Sequence, residues 1–180
     1  MSSSPVVVWM PGSPGRWPFA GHVRGSWESG PVRIAWAGRI AHSALPDEAW
    51  EAAEALRDAL KSVTGDGRFD VITRAWEAVA TLPERWKTRE DLSLLFVASD
   101  PAGNLLSAAG LAGVYVESSS GWVAAALSGS PLFTEPGAPA RPPVPQPSLR
   151  PGNHFVGLCK DMPMPKPADL ALSCGVREGL

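Results

Sequence analysis

Cysteine, unbalanced charge and long apolar runs are scarce in this sequence. Two cysteines in 180 residues are too few for a disulfide framework, so we expect reduced thiols in a cytoplasmic protein. A net charge of −2 argues against nucleic acid or an anionic membrane as the main partner. No apolar run approaches the roughly 18 residues of a membrane span, and the first residues lack a signal-peptide pattern.

Tryptophan and proline are abundant, with eight and 19 residues. Trp50 and Trp76 fall on apolar helical patterns, which predicts core positions for both. Three more tryptophans fall within strand-like runs: Trp9, Trp36 and Trp122. The remaining three lie in loop-like contexts rich in proline, glycine or charge: Trp17, Trp27 and Trp86. These three are candidates for a protein interface, with pinning of long loops onto the domain as the alternative.

Apolar spacing predicts a strand at 5–10, a strand at 31–37, and helices at about 47–62 and 67–82. The apolar face of the first helix comprises Ala49, Ala53, Leu56, Leu60 and Val63. That of the second comprises Phe69, Ile72, Trp76 and Val79, with Asp66 as its predicted N-cap.

The second half of the chain changes to a strand pattern. The apolar run at 91–99 predicts a strand with both faces buried. The sequence predicts a turn at 100–104 and further strands from there to about residue 127. The proline-rich stretch 134–152 predicts a loop in a polyproline-like conformation, and its "PARPPVPQP" run fits an aromatic groove. Residues 154–159 predict a last strand, and 163–180 an irregular tail. We expect one α+β domain over residues 1–180.

Three segments carry a family resemblance. They are "RIAWAGRIAHSAL" (33–45), "DLSLLFVASDPAGNLLSAAGLAGVYV" (91–116) and "LRPGNHFVGLCKDM" (149–162). In this order, with the helix pair between the first two, they resemble the metal-dependent protein phosphatases of type 2C. The resemblance implies a four-layer α-β-β-α sandwich, in which two antiparallel sheets are flanked by helix pairs, here truncated at the C-terminus.

The sequence departs from that family where metal ligands are expected. Ala37 stands at the position of the first metal aspartate, followed by the retained Gly38. Leu111 and Ala112 replace the Asp-Ser of an Asp-Ser-Arg motif, and Met162 replaces the glycine after the retained acid, Asp161. Methyl groups do not coordinate cations, so we expect no catalytic residues, no metal and no cofactor. These six positions form the predicted degenerate site, with Asp161 as a turn acid at a strand end.

The function expected from this combination is that of an inactive phosphatase-like domain, a scaffold or regulatory subunit in a bacterial multi-protein system. The resemblance implies an ATPase or a von Willebrand-type subunit as partner. An active hydrolase is one alternative, as a minimal metal phosphatase or as an N-terminal nucleophile enzyme that uses Ser2. In the first form, Arg24 is the candidate for the family's phosphate-binding arginine. A small-molecule binding domain that uses the old cleft is the other alternative.

Overall fold

The computed structural model describes residues 6–10, 22–40, 46–86, 92–119, 121–125, 132–133, 137–148 and 154–159. These ranges contain nine strands and two α-helices. The strands are β1 (Val6–Met10), β2 (His22–Ser29), β3 (Val32–Ile40), β4 (Leu92–Asp100), β5 (Gly103–Ala109), β6 (Leu111–Ser118), β7 (Gly121–Ala125), β8 (Gln146–Pro147) and β9 (His154–Cys159). The helices are α1 (Pro46–Lys61) and α2 (Arg68–Ala80), followed by a 3-10 turn at Glu84–Trp86.

The strands form two sheets that pack face to face, so the predicted α+β sandwich is confirmed. The larger sheet has the order β2-β3-β4-β5-β8 and is antiparallel throughout. The smaller sheet has the order β1-β9-β6-β7. Here the structure departs from the expectation of two antiparallel sheets, because β1 runs parallel to β9. The long chain segment between these two strands leaves room for the crossover that a parallel pair needs.

Two apolar cores lie on opposite faces of the larger sheet. Alternate residues of β3 point to opposite faces, so Ile34 and Trp36 pack with α1 and α2, whereas Ala35 and Ala37 pack against the smaller sheet. Strand β4 is buried along Leu92–Ser99, as its sequence predicts for a strand covered on both faces. Within the described ranges, α1 and α2 form one helix layer, and neither has the length and apolar character of a membrane span.

The described helix side chains match the predicted apolar periodicity except at Trp50 and Phe69, and the side chains of Ala49 and Ala53 lie outside the described residues. Residues such as Leu56 and Ile72 are fully buried, as predicted. Trp50 is instead 65% exposed, because the buried face of α1 passes through Ala52 and Leu56 on the other side of the helix. Phe69 is 62% exposed, because it lies in the first turn of α2, before the buried stretch of that helix begins.

The start of α2 also differs from the prediction. Gly67 precedes the helix in the N-cap position, and Asp66 makes no side-chain cap. The carboxylate of Asp70 accepts the backbone N–H of Asp66 at 3.0 Å and the Nε–H of Arg74 at 3.0 Å. These two donors, the backbone N–H first, lower the pKa of the Asp70 carboxyl.

Phe96 lies at the centre of an aromatic cluster in the helix-side core. The ring of Trp76 meets it edge to face at 4.9 Å between centroids, and the rings of Trp27 and Trp36 lie at 6.2 and 6.5 Å. Trp27 belongs to β2, a strand that the sequence did not predict, and not to a loop. It packs against the helix-side core, while its predicted role at an interface stays a prediction.

Residues 137–148, here called the proline segment, run beside β5 at the edge of the larger sheet. β8 pairs with Leu105 and Leu106, so this part of the predicted loop ends in a short strand. The backbone N–H of Arg141 donates to Leu132 O at 2.9 Å, and that of Ser148 donates to Asn104 O at 3.0 Å. Backbone hydrogen bonds therefore fix the proline segment at both ends.

A buried hydroxyl connects the proline segment to the aromatic cluster. The indole N–H of Trp76 donates to Ser107 Oγ at 2.8 Å, and Ser107 Oγ donates to the carbonyl of Pro143 at 3.2 Å. Ser107 is fully buried, and its bond to Trp76 is buried as well. One hydroxyl group thus satisfies a helix side chain and a loop carbonyl together.

Ser107→Ala should lower the free energy of unfolding by about 1–3 kcal/mol, because it leaves the buried Trp76 N–H without an acceptor. Urea denaturation followed by tryptophan fluorescence measures the change. Ser62→Ala, which removes an exposed hydroxyl bonded to Ala59 O, should change the same quantity by less than about 0.5 kcal/mol. Equal midpoints for the two variants would contradict the assigned role of Ser107.

Candidate functional site

Ala37 and Gly38, the first two predicted site positions, lie side by side in β3. This strand is second from one edge of the larger sheet, between β2 and β4. In the strand register, Ala37 stands opposite Arg24 of β2 and Leu95 of β4. Arg24, the alternative candidate for a phosphate-binding arginine, is therefore a cross-strand neighbour of the position that the resemblance equates with the family's first metal aspartate.

The methyl group of Ala37 is fully buried between the two sheets. It belongs to an apolar cluster whose other described members are Ala35, Leu95, Val97, Leu106, Ala108, Val114, Val116 and Phe155. Such a cluster supplies no oxygen ligand for a hard divalent cation. The described members of this cluster therefore do not fit the pair of metal ions that the type 2C fold implies, and no catalytic step through such ions follows from them.

Gly38 permits a close approach between neighbouring strands. A Cβ atom at this position would collide with the backbone carbonyl of Ser93 and with the side chain of Leu94. Gly110 has the same role at the end of β5, where a Cβ would meet the carbonyl of Leu92 and where φ is +67°. The close packing of β3, β4 and β5 explains why both positions are glycine. A metal site is not needed to explain Gly38.

Leu111 and Ala112 lie at the start of β6. Leu111 is the register partner of Cys159, the last residue of β9, and the register shifts between Leu111 and Gly113. A shift of this kind is a β-bulge, which places Ala112 at an irregular point of the smaller sheet. Strand β9 also contacts β3 across the sandwich. The structure thus brings the ends of β6 and β9 together and packs β9 against the strand that carries Ala37.

The other predicted site residues lie partly or wholly outside the described residues. Asp161 and Met162, two and three positions beyond β9, are outside them, and so is Trp17. The backbone of Trp86 ends the 3-10 turn at Glu84–Trp86. Across the described ranges, the structure contains no group of three or more histidine, cysteine, aspartate or glutamate side chains that could hold a metal ion.

Trp50 is a surface residue whose exposure the sequence pattern did not predict. Trp50 was predicted to be buried, yet it projects from the polar side of α1. The spacing of charged residues in the sequence indicates this exposure. Asp47 lies three residues before Trp50, Glu54 lies four residues after it, and Arg57 lies seven residues after it. Residues at these intervals share one face of a helix. A comparison of this face with the buried one that contains Leu56 would have placed Trp50 in solvent.

Gly38→Ala should lower the free energy of unfolding by about 3 kcal/mol, because the carbonyl of Ser93 belongs to the strand ladder and cannot move aside. Gly30→Ala is a matched control, since Gly30 has φ of +56° but nothing within 4 Å of its would-be Cβ. This control tests backbone strain alone and should cost about 1 kcal/mol. Chemical denaturation compares the two variants, and a larger loss at Gly30 would contradict the close approach at Gly38.

Comparison with known proteins gives one distant structural relationship. No protein-family model matches the chain, and no curated protein matches it. The structure is similar to the RsbU and RsbW domains of Rv1364c from Mycobacterium tuberculosis, with a TM-score of 0.54 and 12% sequence identity. The match covers 83% of this chain and 43% of that chain, so this chain spans less than half of its length. RsbU is a type 2C phosphatase, and the likeness indicates a distantly similar fold.

Proposed function

We propose that this domain is a catalytically inactive, phosphatase-like domain that serves as a protein-interaction, scaffold or regulatory subunit. One observation carries the proposal. At the position where the type 2C family places its first metal aspartate, the chain has Ala37, whose methyl group is 0% exposed inside an apolar cluster. The distant fold similarity supports an arrangement of strands shared with the type 2C phosphatases. The burial of Ala37 argues against metal-dependent hydrolysis by this domain.

The physical argument concerns charge. Two divalent cations at close distance repel each other strongly, and several carboxylates must offset that repulsion. With Ala37 and Leu111 at two ligand positions, Asp161 is the one acid that the resemblance retains. A single carboxylate does not offset the charge of a metal pair. The chain therefore keeps strands that can position a site while its side chains no longer supply the ligands.

The burial of Ala37 supports a protein partner rather than a small ligand in the old cleft. A ligand pocket needs side chains with a surface that the ligand can reach. Ala37 offers none, because the smaller sheet covers it completely. The structural neighbour joins two domains, RsbU and RsbW, in one chain, which suits a fold that works beside another protein unit. An ATPase or a von Willebrand-type subunit of a bacterial system is the partner class that we include in this proposal.

Ala37→Asp should lower the free energy of unfolding by several kcal/mol, because it buries a carboxylate among the apolar side chains of this cluster. Manganese should not restore the melting temperature. Ala35→Asp is the matched control, since Ala35 belongs to the same cluster two residues earlier and resembles no metal position. A manganese-dependent rise in the melting temperature of Ala37→Asp alone would show that a metal site persists and would contradict the proposal.

The purified chain should show no turnover of a phosphoester substrate with manganese. Turnover that requires the metal and disappears in Asp161→Ala would overturn the proposal in favour of a minimal metal phosphatase. Metal-independent hydrolysis that disappears in Ser2→Ala would instead support the N-terminal nucleophile alternative.

A further inference from the structure

Three large apolar side chains are exposed in the described residues: Trp50, Phe69 and Val144. Trp50 lies on α1 and Val144 in the proline segment, at 65% and 76% exposure. An exposed aromatic side chain with flanking charge is typical of the residues that dominate protein interfaces. The surroundings of Trp50 and Val144 are chemically complementary.

The surface of α1 around Trp50 is aromatic and acidic. The helix carries five acidic and two basic residues, and its first nine residues carry four acids and no base. Asp47 and Glu54 share the helix face of Trp50, and both are exposed. The guanidinium of Arg57 lies over one side of the indole, 5.9 Å from the ring centroid, so the ring already engages one arginine.

The proline segment presents a preorganised apolar ridge with one basic residue, Arg141. Proline fixes its own φ, and it restricts the preceding residue to extended conformations. These two effects constrain every residue of 138–147 except Ala140. An extended chain of this type repeats every three residues, and Arg141, Val144 and Pro147 at that interval are all exposed. The segment is held in place before binding, so docking costs little conformational entropy.

The two surfaces lie at opposite edges of the larger sheet. Helix α1 contacts β2 and β3, at one edge, while the proline segment follows β5 and β8 at the other. Within a single chain the two surfaces therefore do not meet. Two copies can bring them together, with α1 of one copy facing the proline segment of the next.

We propose that this chain self-associates head to tail through these surfaces. Val144 packs on the indole of Trp50 in a second copy, and Arg141 pairs with Asp47 beside it. Arg141 and Val144 are about 9 Å apart along an extended proline-rich chain. This spacing suits an indole and a carboxylate one helical turn away, since the arginine side chain reaches over the remaining distance.

The contact is heterologous, because each copy contributes a different surface to it. Such contacts close into rings or extend as chains, and they do not stop at a two-fold dimer. An interface built from a few side chains is small, so we expect a dissociation constant between about 10 μM and about 1 mM. The inference goes beyond the proposed function and does not depend on the chemistry at Ala37.

Sedimentation velocity of the purified full chain at increasing concentration tests the inference. The weight-average sedimentation coefficient of the unaltered chain should rise with concentration. Trp50→Ala and Val144→Asp should each weaken association at least about tenfold, and so should Arg141→Glu. Phe69→Ala is the matched control, because it removes the third exposed apolar side chain and should leave association unchanged. All four side chains are exposed, so the variants should fold.

Mixing two variants tests the direction of the contact. Trp50→Ala keeps an intact proline segment, and Val144→Asp keeps an intact α1 surface. Together they should form a one-to-one complex that grows no further, although each alone stays monomeric. An unaltered chain that is monomeric at about 1 mM, or a mixture without a complex, would overturn the inference. Either result would leave the proposed function intact, since that function concerns a different protein partner.

Discussion

The pairing of β3 with β4 is the constraint on which the rest of the structure depends. These two strands are covered on both faces, by the helix pair on one side and by the smaller sheet on the other. Phe96 of β4 anchors the helix side through its contacts with three tryptophans. Gly38 allows the two strands to approach closely. A strand pair that is covered on both faces tolerates few polar side chains, because each polar group would need a hydrogen-bond partner inside the protein.

This constraint decides the chemistry of the candidate site. A catalytic aspartate in β3 has to reach water or a metal ion, which requires an opening between the two sheets. In this chain the corresponding space contains Ala37, packed against side chains such as Leu95 and Phe155. Under the proposed function, the methyl group at this position is part of the core and supplies no metal ligand.

The sequence predicts most elements of this fold because their periodicity is clear, as with Leu56 and Leu60 on α1. The sequence did not predict strand β2, because Gly25 interrupts its strand-like pattern. In the structure, the ring of Trp36 occupies the space that a side chain at position 25 would need. The positions of Ala37 and Gly38 in one strand could be inferred from the resemblance. Their burial could not, because it depends on how the second sheet packs, and local periodicity carries no information about such long-range contacts.

The hydrogen bonds that fix the proline segment also determine how the larger sheet can grow. A sheet edge with free N–H groups recruits strands from other molecules. At the β8 edge, Pro147 has no N–H to donate, and Pro143 and Pro145 precede it in the same segment. Strand addition is therefore blocked on this side, and β2 remains as the other outer strand in the described sheet. If an extended peptide from another molecule joins this sheet, β2 is the strand that can accept it.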